Sequence, residues 1–177
     1  VVQLRVFRTN HDETYFLPRG IPTLRHASFN IHIGEAWVQA ANVWRNSCLL
    51  SREPIDVRGA RIRPIDVLAA VLPSPALHAD RVRGHATFVV EAAGWKEGRR
   101  VRVRLWTGLS YEDAYRQHGT NATAYMVGTG AAVAAEMWLE GRVQEKGLVI
   151  PEQLDPDDYL ARLRKKGLEA HEELTTL

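Results

Sequence analysis

Two stretches of the chain carry residue types whose spacing could do chemistry. Met126-Val127-Gly128-Thr129-Gly130-Ala131-Ala132-Val133-Ala134 holds Gly128 and Gly130 in the Gly-x-Gly spacing of a dinucleotide-binding turn. There, the missing side chains let the backbone approach a pyrophosphate at a helix N-terminus. Arg99-Arg100-Val101-Arg102-Val103-Arg104 alternates, so a strand would put Arg100, Arg102 and Arg104 on one face and Val101, Val103 and Leu105 on the other. A basic stripe of this kind could follow phosphates, which is the chemistry of a polyanion-binding module.

Each has a plainer reading. A working dinucleotide fingerprint follows a parallel strand and precedes a second one. Here Thr120–Ala124 is a poor buried strand, and Pro151 and Pro156 break the stretch after the helix. A small-residue helix packed closely on a sheet accounts for the glycines better. The arginine stripe reads as the solvated face of a half-buried hairpin with cross-strand partners such as Glu91, and no aromatic stacking pattern lies within it. Nucleic-acid binding is therefore not expected. Glu35, Asp66 and Glu136 have no companion carboxylate at acid/base spacing. Ser28, Ser47 and Cys48 lack a nucleophile elbow. No Cys/His cluster has zinc spacing, so no metal site is expected.

The elements that must position these residues follow from periodicity. Val2, Leu4 and Val6 alternate with polar residues, and Thr14–Leu17 forms a second short run, so the spacing predicts a hairpin. Ile33, Ala36, Trp37, Ala40, Ala41 and Trp44 predict an amphipathic helix over about 30–45. Two short runs flank Gly59, and Pro64 opens a helix that Pro73 and Pro75 stop near Leu72. Arg81–Ala92 and Arg99–Trp106 predict antiparallel neighbours joined by a loop over 94–98. Helices are expected over about 130–140, ended by Gly141, and 157–166, ended by Gly167. Strands with segregated helices make an α+β class: a mixed, mainly antiparallel sheet with helices packed on one face.

A length of 177 residues, 45% apolar and 25% charged, suits a single folded domain over 1–177 and excludes a disordered chain. A net charge of +2 is too mild to require a polyanionic partner. No apolar run approaches the ~20 residues that span a bilayer, so no membrane role is expected. Cys48 is the sole cysteine, which points to a reducing compartment and a cytoplasmic location. The chain opens on a strand-like run without an initiator Met, which suggests a piece excised from a longer polypeptide.

Several segments, in order, resemble the saccharopine dehydrogenase-like family. Tyr125–Gly141 and Val143–Glu152 match its small-residue helix, charged loop and Gly-apolar-x-x-Pro-Glu segment. Asp157–Leu168 matches its last helix. Gly20–His26 resembles its Thr-Leu-Arg-Tyr segment, and Pro64-Ile65-Asp66-Val67-Leu68 its Pro-x-Asp-Val-Leu helix. Three positions depart from the pattern: Met126 replaces the usual Thr, Gly130 a frequent Pro, and His26 a common Tyr.

The resemblance implies the C-terminal, substrate-binding and dimerisation half of an oxidoreductase of the saccharopine, lysine or carboxy-polyamine dehydrogenase type. Such an enzyme uses NAD or NADP to oxidise a carbon bearing an amine, and its nucleotide-binding domain lies outside this chain. The fragment alone is then expected to be inactive, to bind no cofactor, and to meet an amino-acid or amine substrate. Arg25, in the matched Leu-Arg segment, is the leading carboxylate ligand because its planar fork pairs bidentately; its alternative is a structural arginine bridging hairpin and helix. His26 is the candidate proton relay, or else a hydrogen-bonded filler. Arg19 and His32 join the substrate set through proximity in sequence. Gly128 and Thr129 would offer N–H groups to an anion if they stand at a helix N-terminus; tight packing is the alternative. Family members are commonly dimeric through this half, so a homodimer is expected. The rival function is an interaction or ligand-binding domain without catalysis that self-associates through its sheet. The last helix is expected to leave Tyr159, Leu160 and Leu163 exposed for a missing domain.

Overall fold

A computed structural model describes residues 3–74 and 78–177. The expected roles of Val2 in the first strand and of Pro75 as a helix stop fall outside these residues. The chain divides into two compact units, Val1–Ser74 and Pro75–Leu177.

In the first unit, β1 (Phe7–Thr9) pairs antiparallel with β2 (Phe29–Ile31). Between them lies α1 (Glu13–Gly20), so the hairpin expected from Thr14–Leu17 is not formed. The β-branched and aromatic residues there suggested a strand. The helix carries negative charge in its first turn at Glu13, while Asp12 at the N-cap position makes no side-chain capping hydrogen bond and the Thr14 hydroxyl donates to the His11 carbonyl oxygen. Helix α2 (Glu35–Asn46) starts at an extended Gly34 and carries Trp37 edge-on to Trp44 at 5.2 Å. Strands β3 (Ile55–Val57) and β4 (Ala60–Ile62) form a tight hairpin whose turn residues Arg58 and Gly59 have φ of 53° and 84°. That is the doubly positive pattern matching strand twist. Pro64 then opens α3 (Pro64–Val71).

The second unit is built on a three-stranded sheet of order β5-β6-β7. β5 (His85–Lys96) starts and ends later than the expected run, because Gly94, Trp95 and Lys96 belong to the strand and the turn shrinks to Glu97-Gly98, and β6 (Arg99–Ser110) continues beyond Trp106. β7 (His171–Thr176) pairs with β6 from Val101 to Trp106. It escapes sequence reading because Glu172 and Glu173 interrupt any apolar alternation. Helix α4 (Tyr111–His118) is capped by the Ser110 hydroxyl accepting from the Asp113 N–H at 2.9 Å. Helix α5 (Ala122–Leu139) has Asn121 as its cap, with the side-chain oxygen accepting from the Ala124 N–H at 2.8 Å. A short 3-10 turn (Pro151–Gln153) and α6 (Pro156–Lys165) follow.

The α+β class holds, with every ladder antiparallel and divided among three sheets. Two apolar clusters hold the second unit. Ala86, on one face of the sheet, meets Ala114, Ala122, Met126 and Leu168, with Leu109 against them. Val133, Met137 and Val143 form the other, with Tyr159 and Leu163 packed on it. Tyr159 and Leu163 are thus used inside this unit, against the expectation that they stand exposed: α6 lays its apolar side on α5.

Candidate functional site

The carboxylate and proton-transfer candidates lie in the first unit. Arg19 is in the last turn of α1, its guanidinium 5.6 Å from the Phe16 ring centre. Arg25 and His26 occupy the irregular stretch between α1 and β2, and both are exposed. Among the described residues Arg25 makes no ion pair. His32 follows β2, with Nδ1 2.7 Å from the Arg5 carbonyl oxygen, which points to a donating Nδ1–H and ties the ring to the strand before it. The His11 ring stacks on Phe29 at 4.0 Å. Arg25 and His26 are adjacent in the chain between α1 and β2, and no hydrogen bond or ion pair joins either of them to Arg19 or His32 among the described residues.

Gly128 and Thr129 lie in the second unit, inside α5. The N–H groups of that helix without an intrahelical partner are at its start, over Ala122–Ala124, with that of Ala124 taken by the Asn121 cap, so residues 128 and 129 do not present an N-terminal anion site. The sequence placed the helix start at Gly130 because interior glycines look like a break. For the same reason the Gly128-x-Gly130 spacing does not suit a dinucleotide, which needs a Gly turn between a parallel strand and its helix. Gly128 and Gly130, inside α5, do not form the turn that a nicotinamide nucleotide's pyrophosphate needs. Gly130 has a packing role instead: its carbonyl oxygen accepts from the Tyr159 hydroxyl at 3.2 Å. Met126, where the family has Thr, is a core residue only 4% exposed, and so contributes packing at that position.

The strongest electrostatic feature was not singled out in the sequence. A surface cleft of about 470 Å³ between α5 and α6 is lined by Glu136, Glu140, Asp158, Arg162, Lys165 and Lys166. Arg162 donates to both oxygens of Glu140, at 3.0 and 2.6 Å, and to Asp158 at 2.8 Å. Lys166 donates to Glu136 at 2.7 Å. Hydrogen bonds from Arg162 hold the Glu140 and Asp158 carboxyls below their ordinary range, and the same bonds raise the guanidinium. Burial pushes the Tyr159 phenol up. The cluster is a clasp between helices, because its acids and principal base satisfy one another. Its signal was present: Asp158-x-x-x-Arg162 is an i,i+4 pair, although Glu140 is brought in only by the fold.

On the sheet, Arg104 meets Glu91 at 3.0 Å and Glu173 at 3.4 Å, and Arg102 meets Glu91 at 3.5 Å. Arg102 and Arg104 of the stripe are thus partnered across strands, as expected for a solvated hairpin face. Among the described residues no group of three or more His, Cys, Asp or Glu could hold a metal ion, and no helix is long and apolar enough to cross a membrane.

Comparison with known proteins adds to this geometry. Residues 4–168 match the saccharopine dehydrogenase C-terminal domain. The chain is 29% identical over 162 residues, 92% of its own length and 41% of the relative's, to a carboxyaminopropylagmatine dehydrogenase of a Synechocystis species. It is 31% identical over 168 residues to a carboxynorspermidine synthase of Vibrio alginolyticus and 31% over 167 to that of Vibrio cholerae, each match covering 94% of the chain and 40% of the relative. The chain thus spans about two fifths of the curated relatives it matches.

Proposed function

Because this chain belongs to the saccharopine dehydrogenase C-terminal domain family, we propose that it is the substrate-binding half of an NAD(P)-dependent oxidoreductase whose substrate is a carboxylated polyamine. The observation that carries this reading is the match, over more than nine tenths of the chain, to relatives named for carboxyaminopropylagmatine and carboxynorspermidine. Both names denote an amine chain bearing a carboxyl group. This narrows the saccharopine, lysine and carboxy-polyamine range that the sequence alone left open.

Within this reading the exposed Arg25 pairs with the substrate carboxylate, and Arg19 adds positive potential at the same loop. His26, exposed beside Arg25, exchanges a proton with the amine. His32 is held by the Arg5 carbonyl and shapes the loop. A nicotinamide cofactor, held by residues outside this chain, would supply the hydride chemistry. Fixing the amine-bearing carbon by its distant carboxylate would supply orientation, a major part of such catalysis.

The test is turnover by the enzyme of which this chain is the substrate half, comparing carboxynorspermidine with norspermidine under NADP and NAD. Reduction of cofactor with the carboxylated amine alone is the expected result. Equal inactivity with carboxynorspermidine, carboxyspermidine, carboxyaminopropylagmatine and saccharopine would overturn the reading.

A further inference from the structure

The β5-β6 hairpin outruns the third strand of its sheet. The ladder between β6 and β7 ends with Val101 opposite Thr176, and one further bond runs from the Leu177 N–H to the Arg100 carbonyl oxygen. Past that point the hairpin continues as two strands and a two-residue turn, every residue of it exposed. The register sets Trp95 directly opposite Arg100, and Lys96 directly opposite Arg99. Opposed residues share a face, so Trp95 and Arg100 stand together on one side of the tip and Lys96 and Arg99 on the other. Trp95 is 77% exposed, more than any other tryptophan of the chain. Among the described residues Lys96, Arg99 and Arg100 make no ion pair, whereas Arg102 and Arg104 on the same strand are held by Glu91 and Glu173. Glu97 is the only carboxylate from 92 to 104.

We propose that the tip of this hairpin docks on an acidic surface of another protein. The Trp95 ring is the apolar anchor, and Arg100, Lys96 and Arg99 pair with carboxylates around it. Tryptophan and arginine are the residue types that carry most of the energy in protein interfaces, and complementary charge selects the partner and speeds encounter. The turn suits this role: Glu97 and Gly98 have φ of 51° and 75°, a doubly positive pattern that matches strand twist, so the tip is ordered before contact. A hairpin tip covers less than the ~1,200 Å² of a stable complex, so the partner is a transient one.

Other anionic partners fit the tip less well. A nucleic acid needs a row of free cations along which its phosphates can run, and directly behind the tip Glu91 and Glu173 already hold Arg102 and Arg104. A bilayer surface needs a broad apolar face, whereas the residues before Trp95 on its strand are Ala93 and Gly94. A second tip of the same kind brings the same three cations to the contact and is repelled. The inference rests on the hairpin alone and is independent of the substrate chemistry proposed above.

The experiment uses the 177-residue chain and a fluorescein-labelled peptide of alternating glutamate and leucine, followed by fluorescence anisotropy at low salt. The peptide should bind with a Kd on the order of 10–100 μM, as befits a small contact, and added salt should release it. Trp95→Ala and Arg100→Glu should each weaken binding by roughly tenfold or more, with the circular dichroism of the parent chain retained. Arg58→Glu, the same charge change at the tip of the β3-β4 hairpin, should leave binding unchanged. Three results would overturn the proposal. They are no binding up to about 1 mM peptide, an equal loss in Arg58→Glu, and tighter binding of a single-stranded oligonucleotide or of phosphatidylserine vesicles that Trp95→Ala abolishes.

Discussion

The Tyr159 hydroxyl donates to the Gly130 carbonyl oxygen at 3.2 Å, and a Cβ added to residue 130 would stand 2.9 Å from that same hydroxyl. A Cβ at Gly128, two residues earlier in the helix, would meet nothing within 4 Å. The two glycines of the apparent fingerprint are therefore not equivalent, and only one is required by packing.

Gly128→Ala is expected to stabilise the chain by up to about 1 kcal/mol, the usual helix-interior gain. Gly130→Ala should be less stable than Gly128→Ala by about 1–2 kcal/mol, because Tyr159 must shift and lose its acceptor. Urea unfolding of both variants checks this. Adding Tyr159→Phe to Gly130→Ala should remove most of the difference; if it does not, the hydroxyl contact is not the cause.

The clasp between α5 and α6 makes stability depend on acid. Hydrogen bonds from Arg162 lower the Glu140 and Asp158 carboxyls in the folded chain, so the folded state holds fewer protons than the unfolded one in mildly acid solution. Their contribution is complete above the ordinary carboxylate range and is lost as pH falls through the lowered values. The urea midpoint should therefore drop between about pH 5 and about pH 3, and Arg162→Gln should flatten that drop while lowering the midpoint at neutral pH. An Arg162→Gln profile parallel to the parent's would show that the clasp does not set the acid response.

At the hairpin tip, Glu97 and Gly98 have φ of 51° and 75°. Glu97→Asn should stabilise the chain by roughly 0.5–1 kcal/mol, since asparagine tolerates that region better than glutamate. Gly98→Ala should destabilise it by roughly 1–2 kcal/mol. Thermal unfolding with the opposite ranking would contradict the turn geometry.

For the substrate half, Arg25→Ala should raise KM for a carboxylated polyamine by roughly 10- to 150-fold, the effect of losing a charged hydrogen-bonded pair. Cofactor KM should not change. Arg25→Lys should recover part of the loss, because charge returns without the fork. An unchanged substrate KM in Arg25→Ala would remove this residue from the site.

Local chemistry was largely legible in the amino acids. Glycine at 98, proline at 64, and the alternation over Arg99–Trp106 each state their structure within a few residues, so the long hairpin, α3 and the α+β class follow from sequence. So did the partnering of Arg104 with Glu91, because strand pairing allows few registers. The family was also readable, since it rests on the order of short motifs along most of the chain. Three things were decided only by the tertiary structure. The need for glycine at 130, inside α5, comes from the close approach of Tyr159, 29 positions away, which no local pattern shows. Glu140 joined Arg162, and β7 joined β6, across separations at which sequence spacing carries no geometric information.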